Sequence, residues 1–244
     1  MKSLSLIPTI FAVLSASAVA VNAAAIDSWV VAKNSTTTSG LLTDSPTFGD
    51  GTTDDADDIF VVGEFGETVS LAVGDTLTVS YDVTFSGGTN SSFEYRFVLG
   101  EYTNSSDDAA WNGGWNFLPG DDIYDARTDG NIQSKSSNAA PLGATESTSG
   151  SFSGDSTAAY TYTMTVTLTS STTVDLEASL VGGDSSYDST FTLTGATIPT
   201  DNGFSGTNYN GVGLLMGNGA NMDQASISGA EFTYVPVPEP STTL

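Results

Sequence analysis

Along residues 160–169 the chain alternates without a break. Tyr160, Tyr162, Met164, Val166 and Leu168 fall on one side, and Thr161, Thr163, Thr165, Thr167 and Thr169 on the other. A period of two places successive side chains on opposite faces of a strand, so this stretch predicts a half-buried antiparallel strand. Residues 170–173 supply turn chemistry, and Val174, Leu176, Ala178 and Leu180 then resume the alternation, which predicts a hairpin. The same period marks Leu77, Val79, Tyr81, Val83 and Phe85, and again Phe93, Tyr95, Phe97 and Leu99. With the Gly- and Asn-bearing residues 86–92 between them, these two runs predict a second hairpin. Shorter strands are predicted over residues 29–32, 59–62, 191–193, 211–216 and 227–234, with a bulge in the last where the phase slips at Gly229 and Ala230.

Beyond residue 25 no run longer than eight residues carries a 3.6-residue apolar stripe, and Thr, Ser and Gly dominate, so almost no helix is expected. Eight to ten strands cannot hide their apolar faces in one open sheet. The predicted fold class is therefore all-β, an antiparallel two-sheet sandwich. The high strand count and the missing Cys-Trp-Cys signature favour a jelly roll of the concanavalin or lectin-like kind over an immunoglobulin-like sandwich. Residues 34–58, 103–157 and 201–208 remain as long connections, and connections of that length call for a purpose.

The N-terminus changes the picture of where the chain goes. Lys2 precedes a mostly apolar run from Leu4 to Leu14, and small residues follow at Ala16, Ala18, Ala20, Ala23 and Ala25. This is the pattern of a secretory signal peptide, its apolar stretch shorter than the roughly 20 residues that span a bilayer. Ala18-Val19-Ala20 and Ala23-Ala24-Ala25 both fit the small-x-small rule for cleavage, and a cut near Ala25 is preferred. The expected organisation is a leader over 1–25, one sandwich domain over 26–235 and a Pro-rich tail over 236–244.

Charge and composition then exclude whole classes of partner and chemistry. Twenty-nine acidic residues face five basic ones, a formal net charge of −24. Such a field repels nucleic acid and anionic membranes, while it favours solubility and attracts divalent cations. Cysteine is absent, so an exported domain of this kind takes its stability from its core rather than from disulfides. Histidine is absent as well, which removes the commonest general base, the usual zinc ligand and the His-dependent nucleophile arrangements.

The chain closes with Val235-Pro236-Val237-Pro238-Glu239-Pro240-Ser241-Thr242-Thr243-Leu244, whose prolines end sheet pairing and force an extended segment. After a leader and a Ser/Thr/Gly-rich domain, Pro238-Glu239-Pro240-Ser241-Thr242 resembles the opening of the PEP-CTERM sorting segment. In that family the Pro-Glu-Pro motif precedes a transmembrane helix and an Arg-rich cluster, and a membrane-embedded exosortase processes the segment. The resemblance implies export with signal peptidase and exosortase as partners. It also implies release to the cell surface or extracellular matrix of a bacterium, a Gram-negative one, with Pro238, Glu239 and Pro240 as the residues read by the sorting machinery. The sequence departs from the pattern in that it stops at Leu244 without helix or basic cluster. The late strand around Val212-Gly213-Leu214-Leu215-Met216, and Asp223-Gln224-Ala225-Ser226-Ile227 leading into the last strand, also resemble the jelly-roll modules common in such proteins.

Three groups of side chains are candidates for chemistry. Asp50, Asp54, Asp55, Asp57 and Asp58 form the densest acidic run, and calcium, which takes six to eight oxygen ligands, is the cation such a loop would hold. A looser set is Asp121, Asp122, Asp125 and Asp129. A solvated acidic loop is the competing reading for both. Trp111 and Trp115, with Tyr102 upstream and Tyr124 downstream, offer aromatic faces among Asn and Asp residues, as a polysaccharide-binding loop would need. The alternative is that the tryptophans plug one end of the sandwich. Glu94 and Glu101 are the one pair that invites a glycosidase reading, but Glu94 neighbours Arg96 on a strand and the Glu-x-Asp-x-x-Glu pattern of jelly-roll glucanases is missing, so no catalytic residue is assigned. Asn34, Asn90 and Asn104 begin Asn-x-Ser/Thr triplets, which imply little in a Ser/Thr-rich bacterial chain.

Overall fold

The computed structural model describes residues 21–33, 41–42, 47–48, 59–86, 95–100, 124–127, 132–134, 159–182, 189–198, 207–216 and 224–238. Every helix or strand among them is a β-strand. In chain order these are β1 (Asn22–Ala25), β2 (Ser28–Lys33), β3 (Leu41–Leu42), β4 (Thr47–Phe48), β5 (Ile59–Ser70), β6 (Thr76–Ser86) and β7 (Tyr95–Gly100). They continue as β8 (Tyr124–Arg127), β9 (Ile132–Ser134), β10 (Tyr160–Ser170), β11 (Thr173–Gly182), β12 (Ser189–Thr197), β13 (Asn208–Met216) and β14 (Gln224–Val235).

All pairings are antiparallel and make two sheets. Sheet A runs β1-β14-β6-β10-β11-β12, with β4 also paired to β14, and sheet B runs β3-β2-β5-β13-β7-β8-β9. This is the expected two-sheet jelly-roll sandwich. The period of two explains sheet A directly. Tyr81 faces Tyr162, Val79 faces Met164 and Leu77 faces Val166 across β6 and β10, and all six are buried. Their polar alternates form a hydroxyl ladder on the outer side, Thr76 to Thr167 at 3.1 Å, Thr78 to Thr165 at 3.0 Å and Ser80 to Thr163 at 3.2 Å.

The β10–β11 hairpin stands as expected, with Leu168 opposite Val174 and Tyr160 opposite Gly182. The second expected hairpin does not form. β6 lies between β14 and β10 in sheet A, whereas β7 lies between β13 and β8 in sheet B. Both hydrogen-bonding edges of β6 are taken, and the connecting residues carry the chain from one sheet to the other, as a jelly roll requires. The expected bulge in β14 is present as a register shift between Ser228 and Glu231. Two segments read as connections carry short strands, β3 and β4 within 34–58 and β8 and β9 within 103–157. Residues 22–25, assigned on the sequence to the expected leader, also form a strand, since Asn22 to Ala25 pair with Tyr234 to Glu231.

The core between the sheets centres on Trp29, Tyr81 and Tyr162. Trp29 meets Tyr81 edge-on at 6.1 Å and 85°, and Tyr81 meets Tyr162 at 5.2 Å. Such aromatic pairs are the favoured geometries of rings with opposed edge and face charge.

Candidate functional site: a polar depression and the tail exit

β5 and β13 pair regularly from Ile59 opposite Met216 to Glu64 opposite Gly211, and then again at Val69 opposite Tyr209. Between those points Phe65, Gly66, Glu67 and Thr68 stand against the single residue Asn210. An insertion of this size re-aims side chains. Phe65 turns inward and stacks on Phe232 of the other sheet at 4.4 Å and 19°. Gly66 takes the left-handed φ of 74° within the bulge, and Glu67 and Thr68 are left exposed. The result is an open depression of about 300 Å³ lined by Glu64, Gly66, Glu67, Thr68 and Asn210. Ser28 of β2 donates to Glu64 Oε2 at 3.4 Å at its edge. Two carboxylates, an amide and a hydroxyl around one opening suit a ligand rich in hydroxyl groups. Sequence reading missed this site, because a bulge breaks the alternation and Glu64 and Glu67 look like ordinary solvated acids.

The sequence candidates fall around this framework as follows. Tyr102, Trp111 and Trp115 lie outside the described residues. The strand leading toward them ends at Gly100, which pairs with Gly211, and Gly211 in turn pairs with Glu64. Gly100 and the depression therefore share one register row. Tyr124 and Asp125 open β8, in register with Leu99 and Val98. Asp50, Asp54, Asp55, Asp57 and Asp58 lie outside the described residues, as do Asp121, Asp122, Asp129, Glu94 and Glu101. The residues bracketing the dense acidic run, Phe48 and Ile59, pair with Ala225 and Met216 at the end of the sandwich away from the depression. Among the described residues, no three acidic side chains come together as a metal site would need.

The tail exit is built around Asp75, 3% exposed in the turn between β5 and β6. One oxygen accepts from the Ala72 amide at 2.9 Å and the Tyr234 hydroxyl at 2.7 Å, and the other accepts from the Val237 amide at 2.8 Å. Burial pushes the Asp75 carboxyl up, but the bonds from Tyr234, Val237 and Ala72 outweigh it and hold the pKa below the usual 3.8. Burial, followed by the hydrogen bond and charge of Asp75, pushes Tyr234 up to about 12. Val237 is thus pinned one residue ahead of Pro238, which is exposed. Glu239 and Pro240 lie outside the described residues.

No protein-family model matches the chain, and no curated protein matches it in sequence. Solved structures do. Arcelin-5, a lectin-like defence protein from Phaseolus vulgaris, superposes with a TM-score of 0.52 at 9% identity, over 91% of this chain and 100% of its own. The winged bean acidic lectin, solved in complex with methyl-α-D-galactose, gives 0.51 at 10% identity, over 88% and 99%. At such identities the likeness is one of architecture, and this chain has the lectin-type jelly-roll fold.

Proposed function

We propose that this chain is an exported, non-catalytic protein of the bacterial surface or extracellular matrix, and that its sandwich binds polysaccharide. The observation that carries the reading is the polar depression at the β5 bulge of a lectin-type fold, on the register row from which the segment bearing Tyr102, Trp111 and Trp115 departs. Acidic and amide groups accept and donate to sugar hydroxyls, and aromatic faces stack on the apolar side of a sugar ring. The winged bean lectin, which takes methyl-α-D-galactose, supports the choice of ligand class by its shared fold. Export rests on the leader pattern, and surface or matrix placement on the likeness of Pro238-Glu239-Pro240 to a sorting motif. Calcium enters through Asp50, Asp54, Asp55, Asp57 and Asp58, the acidic run whose oxygens suit that cation, as an aid to polysaccharide binding.

The test is retention of the exported protein on a panel of insoluble and matrix polysaccharides, with calcium and with chelator. Saturable retention on one polysaccharide, without release of reducing sugar, is the expected result. Retention on none of them leaves a structural matrix protein and overturns the binding reading. A melting temperature unmoved by calcium removes the metal from it.

A further inference from the structure

We infer that the leader is cut after Ala20, so that the mature protein begins at Val21 and keeps β1. This rests on the reading of the N-terminus as a secretory leader. Two small-x-small sequences compete, Ala18-Val19-Ala20 and Ala23-Ala24-Ala25, and the sequence reading prefers the second. The fold favours the first. Asn22, Ala23, Ala24 and Ala25 pair with Tyr234, Thr233, Phe232 and Glu231, closing the outer edge of β14. A cut after Ala25 would strip that strand and leave those backbone groups of β14 as an open edge, a template for pairing with another chain.

It would also put the new α-amino group on Ile26. That residue is 1% exposed, its amide nitrogen donates to the Ala230 carbonyl at 2.8 Å, and its own carbonyl accepts from Trp29 Nε1 at 3.3 Å. An ammonium group at this point is a charge drawn toward the core, and burying a charge costs free energy that a neutral amide does not. Val21, by contrast, is 59% exposed, and an amine there stays in water. Because Asn22 is opposite Tyr234, a chain starting at Val21 has its N-terminus beside the exit of the Pro-rich tail.

The experiment is N-terminal sequencing and intact mass of the full chain after export from a bacterial host, with the melting temperatures of refolded chains starting at Val21 and at Ile26. The expected result is a mature N-terminus at Val21, and a chain from Ile26 that melts about 5 °C lower. A mature N-terminus at Ala24 or Ile26, or equal melting of the two chains, overturns the inference. An exported protein that still begins at Met1, or a chain that is not exported, overturns instead the leader reading on which it rests. Ala20→Glu, which blocks the inferred cut, is expected to accumulate precursor; unchanged processing in that variant likewise overturns it.

Discussion

The Tyr234 hydroxyl donates to the Asp75 carboxylate at 2.7 Å across 159 positions of sequence, joining the last strand to the turn that links the two sheets. The same carboxylate takes the Ala72 and Val237 amides, so one buried side chain closes the turn, fixes β14 and holds the start of the tail. Asp75→Ala leaves three donors without their acceptor in a place water reaches poorly. The expected loss is about 3 kcal/mol, read from chemical denaturation. Tyr234→Phe removes one bond and leaves two, for about 1 kcal/mol. The double variant should lose less than the two together, because the shared bond is counted in both. Strict additivity would show that the two side chains act independently.

The same pair sets a pH dependence at both extremes. Asp75 has a lowered pKa in the folded state, so its contribution is present above the unfolded value of 3.8 and is lost as pH falls below it, through the folded value. Tyr234 is raised to about 12 from 10.0, so its contribution is present below 10.0 and is lost as pH rises through about 12. Denaturation midpoints of the wild type and Tyr234→Phe are therefore expected to converge between pH 10 and 12. A constant gap across that window would remove the tyrosine from the account.

Two glycines three residues apart in β5 should fail for opposite reasons. A Cβ at Gly63 would stand 2.7 Å from Ile26 Cγ2 and 2.9 Å from the Trp29 ring, both buried. Gly63→Ala is expected to cost about 2 kcal/mol through overpacking. A Cβ at Gly66 meets nothing within 4 Å, but the φ of +74° is one that side chains disfavour, so Gly66→Ala is expected to cost about 1 kcal/mol through the backbone alone. Gly66→Asn, which tolerates that conformation, should recover most of the loss. Thermal unfolding of the three variants separates the two mechanisms.

Where alternation was strict, as from Tyr160 to Leu168, the face, partner and burial of each residue were legible, because a half-buried strand writes its environment in every second position. Pairing between strands was less so. Leu77–Phe85 and Phe93–Leu99 alternate equally well whether they join each other or opposite sheets, and only the demands of β10 and β14 on the edges of β6 decide it. β1 was hidden for another reason. Its Asn and Ala residues have weak strand propensity and leave their side chains in solvent, so its stabilisation comes from the backbone ladder and leaves no hydrophobic trace. Asp75 gave no sign either, since one acid among 29 carries no mark of burial. The depression arises from four residues standing opposite one, a mismatch visible only once the partner strand is known.

That mismatch makes the site separable from the fold. Glu64, Glu67 and Asn210 lie at or near the surface of a bulge whose anchor, Phe65, is held by Phe232 on the far sheet. Glu64→Gln and Glu67→Gln keep shape and remove charge, so each should leave the melting temperature within about 2 °C. Each should weaken binding of the retained polysaccharide by about tenfold, the equivalent of roughly 1.4 kcal/mol and one charge-assisted hydrogen bond. Glu177→Gln, exposed on β11 of the other sheet, makes the same change in net charge away from the depression and should leave binding as it was. If Glu177→Gln weakens binding as much as the other two, the sugar responds to the overall charge of the protein and not to this site. Binding unaffected by all three would place the contact elsewhere on the sandwich.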